Sequence, residues 1–194
     1  MKIDLENIDK EIGQDGFVSE KIMKILKKTS PIFCVDGVLV PISKKPSALL
    51  VYRDEQNMAA PNKYWFVRGR VNKGKTMAES LQNKIKKEIN LDVKVYEKNQ
   101  LFARDLIHIK SKKDNKFYVL HEGNKNFLKN VPQNKIYHTP VVCFLVRIPP
   151  YGEIKNKIKR GNGNIKYKII TEIDESLHPY VKEAISLAWK KSGY

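Results

Sequence analysis

Acidic residues are in short supply in this 194-residue sequence. Its 21 Asp and Glu stand against 37 Lys and Arg, a formal net charge of +16. A surface this basic attracts anions, so nucleotides, phosphosugars, nucleic acid and acidic proteins are the partner classes that fit. The excess also fits a generally lysine-rich composition, since lysine far outnumbers arginine. Arginine is the better tool for bidentate phosphate recognition, so the few arginines carry more information than the many lysines. Cysteine is scarce too. Cys34 and Cys143 sit in apolar, β-like runs without metal-ligand spacing, which argues against a zinc site or a disulfide framework. Both are expected to be reduced core residues of a cytoplasmic protein. The four histidines, His108, His121, His138 and His178, are scattered without ligand spacing. No apolar run approaches the ~18 residues of a membrane span, so no membrane partner is expected. The opening "MKIDLENIDKEIGQDGF" is too acidic and polar for a secretory signal. "GRVNKGK" lacks the G-x4-G-K-[ST] spacing of a phosphate loop, and no Ser-His-Asp or Cys-His arrangement can be argued.

What is present is an apolar fraction of 41%, enough for a proper core in a chain of one-domain length. "FVSEKIMKILKK", residues 17–28, places Val18, Ile22, Ile25 and Leu26 at helical spacing. "IFCVDGVLVPI", "SALLVYR" and "KYWFV" read as strands separated by turn chemistry. Thr76 can cap a helix over residues 77–89, with Leu81, Ile85 and Ile89 on its buried side. "VKVYEKNQLFARDLIHI" reads as a strand or bent strand pair. Residues 110–137 form a polar excursion with 117–120 as its strand-like part. "HTPVVCFLVRIPP" is a strand stopped by two prolines, and "EIKNKIKRGNGN" reads as a basic loop. "IKYKIIT" is a further strand, and Asp174 starts a last helix reaching about Lys190. Strands interrupted by a few helices predict a single α/β domain with a mixed sheet. Residues 1–28 form an N-terminal segment and helix. Residues 29–194 form the domain proper, with a long polar insertion near 108–137.

The stretch "YWFVRGRVNKGKTMAESLQNKIKKEINLDV", residues 64–93, resembles the box of the Nudix hydrolases, G-x5-E-x7-R-E-U-x-E-E-x-G-U with U aliphatic. That box is a loop, a helix and a loop, whose helix presents carboxylates three and four residues apart to a divalent metal. Gly69 matches the first glycine, Ile85 and Leu91 the aliphatic positions, and Glu88 the second Glu of the Glu-Glu pair. Lys75 replaces the first Glu, Asn83 and Lys84 the Arg-Glu pair, Lys87 a further Glu and Asn90 the last glycine. "TSPIFCVDGVLV", with Asp36, and "YWFV" followed by "GRV" are similar to the GDP-mannose mannosyl hydrolase branch. "HTPVVCFLVRI" resembles its later core strand.

The resemblance implies the Nudix fold, a mixed β-sheet sandwiched between helices, and a nucleoside diphosphate derivative such as a GDP-sugar as ligand. It implies substrate contacts from Asp36 and Arg53, to which Arg68, Arg70 and Lys84 are added as basic neighbours. It implies Mg²⁺ held by Glu88 and the Gly69 carbonyl, and a homodimer by analogy. The Gln-His that supplies a ligand and the base in that branch falls on Gly163 and Asn164, which leaves His138 as the reserve base. The charge reversal argues against the metal. A face that would carry about three carboxylates carries Lys84, Lys87 and Glu88, with Lys84 and Glu88 placed to pair at i,i+4. Other acids available to a metal are Glu55, Glu122 and Glu153. The expectation is a Nudix-like protein with impaired or lost metal-dependent catalysis. The alternative is a non-catalytic domain binding nucleotide, or nucleic acid through its basic loops with Phe117 or Tyr167 beside them.

Overall fold

A computed structural model describes residues 19, 22–23, 25–26, 30–54, 60–110, 117–120, 136–158 and 166–194. Its centre is β1 (Cys34–Pro41), buried at every position. The near-continuous apolar run of that strand suits a place covered on both faces. β1 runs parallel to β7 (Ile136–Ile148) along its whole length, from Cys34 opposite Val141 to Pro41 opposite Ile148. On its other edge it pairs antiparallel with β4 (Val67–Arg70) and, at Leu39, with β2 (Ala48–Arg53). β2 is flanked by β3 (Lys63–Trp65) and β8 (Tyr167–Ile170). β5 (Gln100–Lys110) joins β7 to β6 (Phe117–Leu120). The path β3-β2-β1-β7-β5-β6, with β4 on β1 and β8 on β2, makes one mixed sheet of eight strands.

Each face of the sheet has its own core. On one side α1 (Met77–Ile89) lays Leu81, Ile85 and Ile89 against Val35, Leu39, Leu49, Phe144 and Val146. The short helix α2 (Tyr151–Ile158) adds Ile154 and Ile158 to the same cluster. On the other side α3 (Pro179–Lys191) brings Tyr180, Val181, Ala184, Ile185 and Ala188 against Val38, Leu50, Trp65, Phe66 and Leu145. Helices on both faces of a mixed sheet are the α/β arrangement that the alternation of elements predicts.

α1 starts and stops where the sequence predicts. The Thr76 hydroxyl accepts from the Glu79 amide at 3.1 Å and the Glu79 carboxylate accepts from the Thr76 amide at 2.8 Å, a complete capping box. Asn90 ends the helix in the left-handed conformation at φ 56°. Such a cap leaves room for Asn where glycine is the commoner choice. Both cysteines are free and buried.

Four expectations need correction. Residues 91–96 form no strand; a single 3-10 turn over Glu97–Asn99 precedes β5. "YGEIKNKI" is helix, because Ile154 and Ile158 lie four residues apart and both reach the core, a spacing hidden among lysines. The last helix begins at Pro179, capped by the His178 ring, which accepts from the Tyr180 amide. Asp174 instead closes a turn by accepting from the Ser176 amide at 2.7 Å. The polar excursion is also shorter than expected, since β7 already starts at Ile136. Of the N-terminal helix, Ile22, Met23, Ile25 and Leu26 are helical as expected, and the remainder lies outside the described residues.

Removing the α1 cap should be felt by the whole α1-side core. Thr76→Ala is expected to lower stability by about 1 kcal/mol, read as a shifted urea midpoint with an unchanged slope.

Candidate functional site

Strand alternation sorts the candidate residues onto two faces. Asp36 and Arg68 stand directly opposite one another in the β1–β4 ladder, on the α3 side. Gly69 points to the α1 side, as do Arg53 on β2 and the two helix residues Lys84 and Glu88. The set that the resemblance gathers into one site is therefore divided by the sheet.

On the α3 side the Asp36 carboxylate is fully buried. Arg68 Nε donates to its Oδ1 and Nη2 to its Oδ2, both at 2.6 Å. The Tyr180 hydroxyl adds a third hydrogen bond to Oδ2 at 2.9 Å. This is a bidentate, charge-assisted pair of the strong kind. Burial acts to lower the Arg68 pKa, and attraction and hydrogen bonding from Asp36 more than reverse it, so Arg68 stays charged. The guanidinium also lies 5.5 Å from the centre of the Trp65 ring, which stacks on Tyr180 at 5.7 Å. Asp36 and Arg68, expected on a nucleotide, are thus buried against each other and lock β1, β4 and α3 together. Beside them, burial together with the Arg68 and His178 charges lowers the His108 pKa to about 3. Burial likewise raises the Cys34 thiol to about 11, with Asp36 adding to the rise and Arg68 opposing it.

On the α1 side Lys84 Nζ lies 3.0 Å from Glu88 Oε1, the i,i+4 pair that the sequence predicts. The stem of Lys84 crosses β4 directly over Gly69. A Cβ built on Gly69 would come within 2.9 Å of Lys84 Cγ, closer than real contacts allow, and within 3.1 Å of its Cβ. Glycine here is what lets a long side chain lie flat on the strand. Arg53 is buried, and its Nη2 donates to the Phe66 carbonyl at 2.8 Å. Burial lowers the Arg53 pKa, and the charge that opposes this most strongly is Glu88. Arg53, Lys84, Glu88 and Gly69 therefore share one locality, with Glu88 Oε2 buried and accepting no hydrogen bond among the described residues.

This donor set does not fit a divalent metal. Among the described residues one carboxylate is present here, the Lys84 ammonium sits on its Oε1, and Arg53 adds a second positive charge. Mg²⁺ is ordinarily held by one or two carboxylates that are free to bind it. Among the described residues no three His, Cys, Asp or Glu side chains gather as a metal set. Glu153 is exposed on α2, while Glu55, Glu122, Gly163 and Asn164 lie outside the described residues.

The other candidates are dispersed. Arg70 is half-buried at the end of β4, opposite Cys34, and Lys75 is exposed in the turn before α1. His138, at the open start of β7, hydrogen-bonds Asp105 Oδ1 at 2.8 Å through Nε2. Alternation with Val142 and Phe144 puts His138 on the α1 side. Sequence reasoning missed Tyr180, Asp105 and the burial of Arg53. Tyr180 had one available signal, an aromatic at the start of an amphipathic helix.

No protein-family model matches this sequence, and no curated protein matches it. Solved structures do. A mutT/nudix family protein from Listeria innocua is 13% identical, with a TM-score of 0.54 over 84% of this chain and 96% of that one. Shewanella oneidensis NrtR is 13% identical, with a TM-score of 0.50 over 83% of this chain and 63% of that one. This chain has the Nudix fold. No helix among its described residues is long and apolar enough to cross a membrane.

Two outcomes test the buried cluster. Asp36→Asn should cost about 3–5 kcal/mol in urea unfolding, because Arg68 is left buried without its counter-charge. Asp36→Leu combined with Arg68→Met should cost less than that single change. The His108 effect has a definite sign. Its folded pKa lies below its ordinary value of 6.5, so the unfolded chain binds the extra proton first. Its contribution is complete above about pH 6.5 and is lost as pH falls towards 3. Stability of His108→Leu should therefore fall less steeply across that window than stability of the parent.

Proposed function

We propose that this chain is a Nudix-fold protein that binds a nucleoside diphosphate derivative, such as a GDP-sugar, with little or no metal-dependent hydrolysis. The observation carrying this reading is the Lys84–Glu88 pair at 3.0 Å, with Lys84 laid across Gly69. In the intact box that the resemblance describes, carboxylates recruit a divalent cation and the cation meets the diphosphate. Here a tethered ammonium takes the cation's place and can meet phosphate oxygen directly.

Lys84 is the first contact in this reading. Arg53 supports it from below through Glu88, and Arg70 and Lys75 supply further positive charge at the β4–α1 turn. An ammonium neutralises a phosphate but does not activate a water as a metal does, so binding outlasts turnover. Asp36 and Arg68 act indirectly, by fixing β4 so that Gly69 stays beneath Lys84. His138, oriented by Asp105, is the reserve general base on the same side of the sheet. Its orientation by a carboxylate is the feature in its favour. In this reading residues 29–194 make one ligand-binding domain.

Calorimetric titration of GDP-mannose, with and without Mg²⁺, tests the proposal. Saturable binding that is indifferent to Mg²⁺, weakened about tenfold or more in Lys84→Ala and retained in His138→Ala is the expected result. Sustained heat that requires Mg²⁺ and disappears in Glu88→Gln would overturn it.

A further inference from the structure

The outer part of the sheet carries a second arrangement of basic and aromatic side chains. β3, β2 and β8 form a three-stranded patch in which Tyr64 stands opposite Tyr52. The Tyr52 amide donates to the Lys166 carbonyl at 2.7 Å, which continues the row into the residue before β8. The two tyrosine rings meet edge to face, 5.4 Å apart. Lys166 Nζ lies 5.7 Å from the centre of the Tyr52 ring, and Lys168 Nζ lies 4.7 Å from that of Tyr64. Tyr52, Tyr64 and Lys168 are half-buried and Lys166 is exposed. The bodies of these side chains are held by the sheet while one ring surface of each tyrosine faces an ammonium at the solvent boundary. Alternation keeps Tyr52, Lys166 and Lys168 on the α3 side of the sheet, opposite in direction to the Lys84–Glu88 site.

We propose that this Tyr52–Tyr64–Lys166–Lys168 platform binds single-stranded nucleic acid. Neighbouring strands present two aromatic rings and two ammonium groups within one side chain's reach of each other. That combination serves a polymer with a base and a phosphate in every unit, since bases stack on rings while phosphates neutralise lysines. In the free protein each lysine rests on a ring as a cation–π partner. When a base takes the ring surface, the flexible lysine stem carries its charge to the adjacent phosphate. The net charge of +16 favours approach of a polyanion. A duplex offers its bases only at groove edges, and an acidic protein does not repeat a flat aromatic face beside every negative charge.

Fluorescence anisotropy with a labelled 12-nucleotide oligothymidylate tests the proposal over a range of salt concentrations. The expected result is salt-sensitive binding that Tyr52→Leu weakens at least about fivefold, the lower end of what one stacked base contributes. Lys166→Gln with Lys168→Gln should reduce the slope of log affinity against log salt by about 1.4, the loss of two single-strand phosphate contacts. Both lysines lie outside the core, so this pair of changes keeps the test valid should Tyr52→Leu fail to fold. Lys44→Gln with Lys190→Gln, which removes the same charge elsewhere, should leave binding nearly intact. Equal losses in both lysine pairs would reduce the effect to net charge and overturn the proposal. So would the absence of binding at low salt, or equal competition by polyglutamate. Oligonucleotide binding that survives Lys84→Ala would separate this surface from the proposed nucleotide site, so neither reading depends on the other.

Discussion

The ion pair between Asp36 and Arg68 is the interaction on which most of the architecture rests. It lies at the cross-strand contact of β1 and β4, with both oxygens of the carboxylate engaged. Removing two charges from water is costly, and the cost is offset only when geometry and additional hydrogen bonds are good. Here the fork of the guanidinium matches the carboxylate, and Tyr180 supplies a further donor from α3. A slip of one residue in the β4 register would turn Arg68 to the other face and leave Asp36 buried without its counter-charge. The pair thus contributes specificity of register at least as much as net stability. It also ties α3 to a particular point on the sheet through the same tyrosine that stacks on Trp65.

This buried charge governs the titration of its surroundings. His108 is kept neutral first by its burial and then by the proximity of Arg68. Cys34 and Cys143 are pushed towards the protonated thiol chiefly by burial, with Asp36 adding to the effect. These groups are poor candidates for nucleophiles or bases, since a reactive thiol needs an electropositive, accessible setting. On the α1 face and at the sheet margin, by contrast, lysines remain in contact with solvent.

Much of the fold was legible because its signals are local. Thr76 and Glu79 announce a helix start, Leu81, Ile85 and Ile89 its buried stripe, and the pair of prolines after Ile148 the end of β7. α2 was harder, because Ile154 and Ile158 are its only core residues and the stretch around Lys155, Lys157 and Lys159 reads as solvated loop. The division of the candidate site was not legible at all. Asp36 and Arg68 are 32 positions apart, Asp36 and Tyr180 are 144 apart, and neither composition nor period reveals that they meet. The Lys84–Glu88 pair was legible, since an i,i+4 relation is settled by helix geometry alone.

Gly69 connects the two faces of the sheet. It follows Arg68 in the chain, so the side of β4 that Arg68 leaves free is the side on which Gly69 lies. Fixing the guanidinium against Asp36 therefore fixes the glycine towards α1. The flat strand surface that results admits the Lys84 stem at a distance no Cβ would tolerate. From that stem the ammonium meets Glu88, one turn along the helix, at 3.0 Å. A lysine held in this way has already lost much of the side-chain entropy that an anion contact would otherwise cost. The buried pair on one face of the sheet thereby pre-organises the cation on the other.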